Sequence, residues 1–122
     1  KNKLWRTVQE SPSRMYFPNG EGIAQMQARA MTSVHQAVSA NGKGTAVIFS
    51  HGDVIKSIVA SALGMHLDEF QRIIIDPASI SILDFSSTKP RTLLLNDSRS
   101  VVTELLVTPK RAKNLLGGGS GR

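Results

Sequence analysis

The sequence contains no cysteine. Disulfide stapling, thiolate catalysis and thiolate metal ligation are therefore excluded, and cysteine usage leaves the redox compartment unconstrained. Long apolar runs are missing too. None approaches the roughly 20 residues that cross a bilayer, and the opening Lys-Asn-Lys-Leu-Trp-Arg carries no signal-peptide pattern. No membrane partner is expected, and a cytoplasmic location is the default. Aromatic residues are scarce, at one Trp, one Tyr and four Phe, with none beyond Phe85. Nucleic-acid surfaces interleave aromatics with basic residues on a folded face, and here the positive charge lies elsewhere. Residues 1–88 hold eight Lys/Arg against seven Asp/Glu, whereas 89–122 hold seven against two. The glycine-rich, basic stretch 108–122 reads as a solvated, disordered tail, and no nucleic-acid partner is expected.

What is present is an ordinary globular pattern, expected to form one domain over 1–107. Leu4–Glu10 has a short helical period, stopped by Ser11-Pro12-Ser13. A turn cluster from Tyr16 to Gly22 precedes a long helix in which Ile23, Met26, Gln27, Ala30, Val34 and Val38 repeat at helical spacing, ended by Asn41-Gly42-Lys43-Gly44. Thr45–Phe49 is short, apolar and β-branched, the pattern of a strand buried on both faces. A helix is expected over Asp53–Leu63, with Val54, Ile55, Ile58, Val59 and Leu63 inward and Gly64 as its C-cap. Leu67–Gln71 suggests a short helix, and Ser79–Phe85 with Arg91–Asn96 suggests a hairpin across Ser86–Pro90. The fold class is α/β, with three or four strands expected. A central strand needs neighbours on both sides, and the N-terminal side is short of one.

The chemistry concentrates at Ser50-His51-Gly52-Asp53, where the expected strand hands over to a helix. Anions gather at such corners because the first helical N–H groups are free. His51 offers a ring able to donate to an oxyanion, and Gly52 lets a bound group approach the backbone. A strand-end histidine satisfied by a nearby carbonyl, and a glycine demanded by a sharp turn, explain the same letters. Glu21 opens the long helix, where the dipole alone favours an acid, and Arg29, inside that helix past its first turn, suits a structural ion pair better than a substrate contact. Ser50 lacks the Gly-x-Ser-x-Gly elbow of a nucleophilic serine. His35 and His66 lack metal-ligand spacing and read as surface histidines; no metal is expected.

Phe17-Pro18-Asn19-Gly20-Glu21-Gly22 with Arg29, then Ser50-His51-Gly52-Asp53, then Asp76-Pro77-Ala78-Ser79 before a strand together resemble the histidine phosphatase superfamily, the phosphoglycerate mutase-like enzymes. The resemblance covers about residues 4–97. It implies a three-layer α/β sandwich of the phosphoglycerate mutase-like type, here partial, and a cofactor-free phosphohydrolase or phosphomutase of small phosphomonoesters. It also implies that His51 contacts the phosphoryl oxygens opposite a second, phosphorylated histidine. Gly52 is the candidate second phosphate contact beside His51, and Glu21 the candidate on the substrate side.

That second histidine belongs to an Arg-His-Gly triplet, and none occurs in this sequence. The family's upstream arginine and its acidic proton donor have no counterpart either. The chain is therefore expected to be the C-terminal portion of a longer enzyme, to hold half of an active site, and to be inactive alone. A homodimer is expected through an exposed sheet edge. The competing reading is a non-catalytic α/β module that binds anions or supports assembly.

Overall fold

The computed structural model describes residues 3–101 and residue 103. The expected tail over 108–122, and its boundary, lie outside the described residues. Helix α1 (Lys3–Glu10) is followed by a 3₁₀ turn, Pro12–Arg14. Pro12 ends the first helix, because a residue preceding proline is disfavoured in helical backbone, and its missing N–H is harmless at the start of the next turn. Helix α2 (Ile23–Asn41) buries Ile23, Ala30 and Val34 along one stripe. Its first turn is closed by the Gly22 N–H, which donates to Gln25 Oε1 at 2.9 Å. Helix α3 (Gly52–Leu63) ends at Gly64, which adopts a left-handed φ of 68° and donates its N–H back to the last turn. Lacking a Cβ, glycine takes that conformation without strain. No helix among the described residues is long and apolar enough to cross a membrane.

A 3₁₀ helix occupies Leu67–Arg72, where the sequence suggests a short helix over Leu67–Gln71. Asp68 anchors its first turn through two bonds. His66 Nδ1 accepts from the Asp68 N–H at 3.1 Å, and Asp68 Oδ1 accepts from the Ser13 N–H at 2.8 Å. That second bond ties residues 55 positions apart. Around it lies the core of Val8, Met15, Ile23, Val59, Ala60, Leu67, Phe70 and Ile73. Phe70 is fully enclosed. Ser57 is the buried polar residue of this region; its hydroxyl donates to the Val54 carbonyl at 2.7 Å, and its own carbonyl accepts from Gln27 Nε2 at 2.9 Å, stitching α2 to α3.

Strands β1 (Ile80–Asp84) and β2 (Arg91–Asp97) form a two-stranded antiparallel sheet close to the expected hairpin. Ile80 pairs with Asp97, Ile82 with Leu94 and Asp84 with Arg91. Two steps along β1 from Ile80 match three along β2, so β2 carries an extra residue at Leu95–Asn96, a bulge. Asn96 takes a φ of 55° there. β2 packs towards α3. The ring of His35 on α2 meets Phe85 edge-on, with centroids 6.1 Å apart and planes at 81°.

One expected element does not form. Residues 45–50 belong to no strand, and every one of them is exposed. Phe49 is 93 % exposed, Val47 65 % and Ile48 51 %. The sheet among the described residues has two strands, not three or four. A strand exists only as part of a ladder, and among the described residues β1 and β2 pair with each other and with nothing in 45–50.

Candidate functional site

α3 starts at a corner made by His51. That residue is its N-cap, with extended backbone at φ −108° and ψ 157°. Its carbonyl accepts the first helical bond, from the Ile55 N–H at 2.9 Å. The amides of Gly52, Asp53 and Val54 precede that bond and have no intrahelical acceptor. The His51 ring does not cap the helix. It is exposed and makes no hydrogen bond among the described residues. The strand-end reading, in which a neighbouring carbonyl occupies the ring, therefore has no carbonyl behind it.

Gly52 does not have a positive φ. A Cβ built on it would meet only the Ile75 carbonyl oxygen, at an ordinary 3.8 Å. The turn does not demand glycine, and the backbone at 52 is open from outside. Behind the corner, Lys56 Nζ reaches Asp53 Oδ1 at 3.3 Å and Gln71 Oε1 at 3.1 Å, so the cation one turn into α3 is engaged within the fold.

The Ile75 carbonyl belongs to a turn that flanks this corner. Ser79 N–H donates to the Asp76 carbonyl at 3.2 Å, with Pro77 and Ala78 between them. Ala78 has a φ of 58°, a left-handed position that favours glycine. Asn96 grips the turn from the β2 bulge: its Oδ1 accepts from the Asp76 N–H at 2.7 Å, and its Nδ2 donates to Asp76 Oδ2 at 2.9 Å.

Glu21 is not brought to His51 by any contact. Arg29 donates to it through Nη2 at 2.5 Å and Nε at 3.2 Å, a two-pronged and solvent-exposed pair. The hydrogen bonds from Arg29 hold the Glu21 carboxyl below its usual range, and the same contact raises the arginine. Glu21 is thus ionised near neutrality and accepts rather than donates. The ion pair expected of Arg29 is present, and Arg29 also lines a cleft of about 170 Å³ with Ser33, Ile48, Ser50, Val54 and Ile58. Of the ion pair, Arg29 lines this cleft, and Ser50, the residue before His51, lines it too. His35 and His66 lie elsewhere, against Phe85 and at the head of the 3₁₀ helix.

The sequence pattern points to Asp76–Ser79 but not to Asn96, which holds it. A signal was available, since Asn-Asp closes the alternating run of β2 and asparagine tolerates left-handed backbone where a bulge needs it.

These elements make up a fold with known counterparts. Bacillus stearothermophilus YhfR superposes with a TM-score of 0.71 at 21% identity, over 77% of this chain and 47% of that one. A phosphoserine phosphatase mutant from Entamoeba histolytica, solved in complex with phosphoserine, gives 0.70 at 17% identity, over 80% of this chain and 50% of the other. Phosphoserine phosphatase from Entamoeba histolytica in complex with 3-phosphoglyceric acid gives 0.71 at 18%, over 81% and 51%. The architecture is therefore a partial α/β sandwich of the phosphoglycerate mutase-like type. The histidine phosphatase superfamily (branch 1) matches residues 1–98, and the chain belongs to that superfamily. It spans about half the length of the solved relatives. No curated protein sequence matches it.

Proposed function

We propose that this chain carries one half of a phosphoryl-transfer site for small phosphomonoesters. His51 and the Gly52 N–H hold the phosphoryl oxygens, and the Glu21–Arg29 pair forms the substrate-side rim. The observation that carries this reading is the His51 ring, exposed and unpartnered among the described residues at the head of α3, beside a glycine that the backbone does not require. Two donors of this kind suit phosphoryl transfer, in which catalysis is mostly positioning plus hydrogen bonds to equatorial oxygens. The Entamoeba histolytica phosphatase was solved with phosphoserine and with 3-phosphoglyceric acid, which supports small phosphorylated acids as the substrate class.

In the complete enzyme a second histidine would carry the phosphoryl group. This sequence has three histidines, and neither His35 nor His66 stands beside His51. The chain alone then binds phosphate and does not turn over, because no phosphoenzyme can form. The reaction needs no cofactor in this scheme. The second reading, an anion-binding or assembly module, is favoured by the same solitary histidine and differs only in what pairs with it.

The test is phosphate binding followed by NMR on the 122-residue chain, with aryl phosphate hydrolysis measured in parallel. We expect saturable shifts of the His51 ring and Gly52 amide, lost in His51→Ala, and hydrolysis at background. Absence of any phosphate-dependent shift at His51 sinks the proposal. Turnover that disappears in His51→Ala would show instead that a histidine of this chain is the nucleophile.

A further inference from the structure

Of the two register shifts in the hairpin, the one at Leu95–Asn96 reaches the 76–79 turn. Antiparallel bulges re-aim a side chain and recur next to active sites. Here the extra residue is Asn96, with φ 55°, and its backbone N–H donates to Ser81 Oγ at 3.1 Å instead of to a ladder carbonyl. Its side chain leaves the hairpin and closes a two-bond ring on Asp76: 2.7 Å from the Asp76 N–H to Oδ1, and 2.9 Å from Nδ2 to the Asp76 carboxylate. The Asp76 N–H and the Ile75 carbonyl are the two ends of one planar peptide unit. Gripping one end fixes the direction of the other. The Ile75 oxygen is the atom that faces Gly52, 3.8 Å from a Cβ built there.

We infer that Asn96 is a positioning residue for the His51–Gly52 corner, acting through the 75–76 peptide. This rests on the phosphate reading of that corner. The chain of contact runs from the bulge, through the Asp76 N–H, to the Ile75 carbonyl, whose oxygen lies 3.8 Å from the Cβ position of Gly52, the first residue of α3. The turn it holds is left-handed at Ala78, a conformation that persists only where surrounding bonds impose it. Without Asn96 the turn relaxes, the peptide plane rotates, and the Ile75 carbonyl leaves its place beside the start of α3. The His51 ring and Gly52 N–H then sample orientations that no longer converge on one anion.

Asn96→Gly is the incisive variant, because glycine keeps the left-handed backbone without strain and removes only the side chain. Two readouts on the 122-residue chain test it. One is amide hydrogen exchange at Ile55, whose N–H makes the first bond of α3, compared with Ala60 in mid-helix. The other is inorganic phosphate affinity from the His51 and Gly52 resonances. We expect Ile55 exchange to rise at least about tenfold with Ala60 unchanged, and phosphate affinity to fall at least about fivefold. The exchanged pair Asp76→Asn with Asn96→Asp preserves both hydrogen bonds and the net charge, and should restore both readouts to within about twofold of the parent. Asp76→Ala, which removes the side-chain bond from the other partner, is expected to move both readouts in the direction of Asn96→Gly.

Equal acceleration at Ile55 and Ala60 would mean general destabilisation and would overturn the positioning role. So would an Asn96→Gly chain whose Ile55 exchange or phosphate affinity stays within twofold of the parent, or failure of the exchanged pair to restore them. If the parent itself shows no phosphate response, the functional reading fails; Ile55 exchange then decides separately whether Asn96 sets the corner.

Discussion

Gly52 separates two accounts of the corner that use the same letter. If glycine were there for the turn, its φ would be positive or a Cβ would collide; neither holds. Gly52→Ala should therefore leave the melting temperature unchanged or slightly raised, since alanine in compatible helical backbone gains about 0.4–1 kcal/mol from the unfolded chain. Alanine keeps the backbone N–H, so the effect on phosphate comes from the added methyl, which stands in the open space by which an anion approaches the 52 backbone; affinity should fall by at least about tenfold. Calorimetry with and without phosphate reads both. An unchanged affinity would remove the Gly52 backbone from the binding site and leave His51 alone.

The hairpin carries a pH dependence of its own. Asp84 ends β1 and accepts from the Ser86 N–H at 2.8 Å and from Arg91 across the sheet. Hydrogen bonds from Ser86 first, and from Arg91 second, depress its pKa from 3.8 to about 2. A carboxyl depressed in the folded state contributes stability that is fully present above the unfolded value and is lost as pH falls through the folded one. The Asp84 contribution should thus hold down to about pH 4 and disappear between there and about pH 2. Asp68 and Asp97 are also depressed, so the useful quantity is a difference. Denaturant midpoints of the parent and Asp84→Asn should be separated at pH 5 and converge towards pH 2. A separation that stays constant over that range would mean the Asp84 charge does not support the hairpin.

Residues 45–50 leave the molecule with an apolar segment that is exposed along its whole length and joins no ladder among the described residues. Phe49 and Val47 are among its most exposed large side chains. Such a segment, with unused backbone donors and acceptors, is a template for pairing with another chain. The 122-residue chain is expected to self-associate at concentrations of about tens of micromolar, where exposed strands begin to aggregate. Phe49→Glu should shift it towards monomer while changing stability by no more than about 0.5 kcal/mol, because the ring packs on nothing. Light scattering with a parallel thermal melt checks both. A parent chain that is already monomeric would show that 45–50 is not a pairing edge.

Helices α1, α2 and α3 and the hairpin were legible because their signals are local. A 3.6-residue stripe, Pro12 after Glu10, Gly64 after Leu63 and an alternating run before Asn96 each act within a few residues of chain. The His51–Gly52 corner was legible for the same reason, since a strand-like run, a histidine, a glycine and a helix start follow one another directly. Thr45–Phe49 was misread because apolar β-branched letters report what a segment would bury, whereas a strand is defined by a neighbour that may lie anywhere in the chain. The Asp68–Ser13 bond, the Arg29–Glu21 pair and the grip of Asn96 on Asp76 join residues 8 to 55 positions apart. Local pattern carries no record of such partners. Hydrophobic period is written residue by residue, but ladders, bulges and side-chain clasps are settled only when distant backbone groups meet in the folded chain.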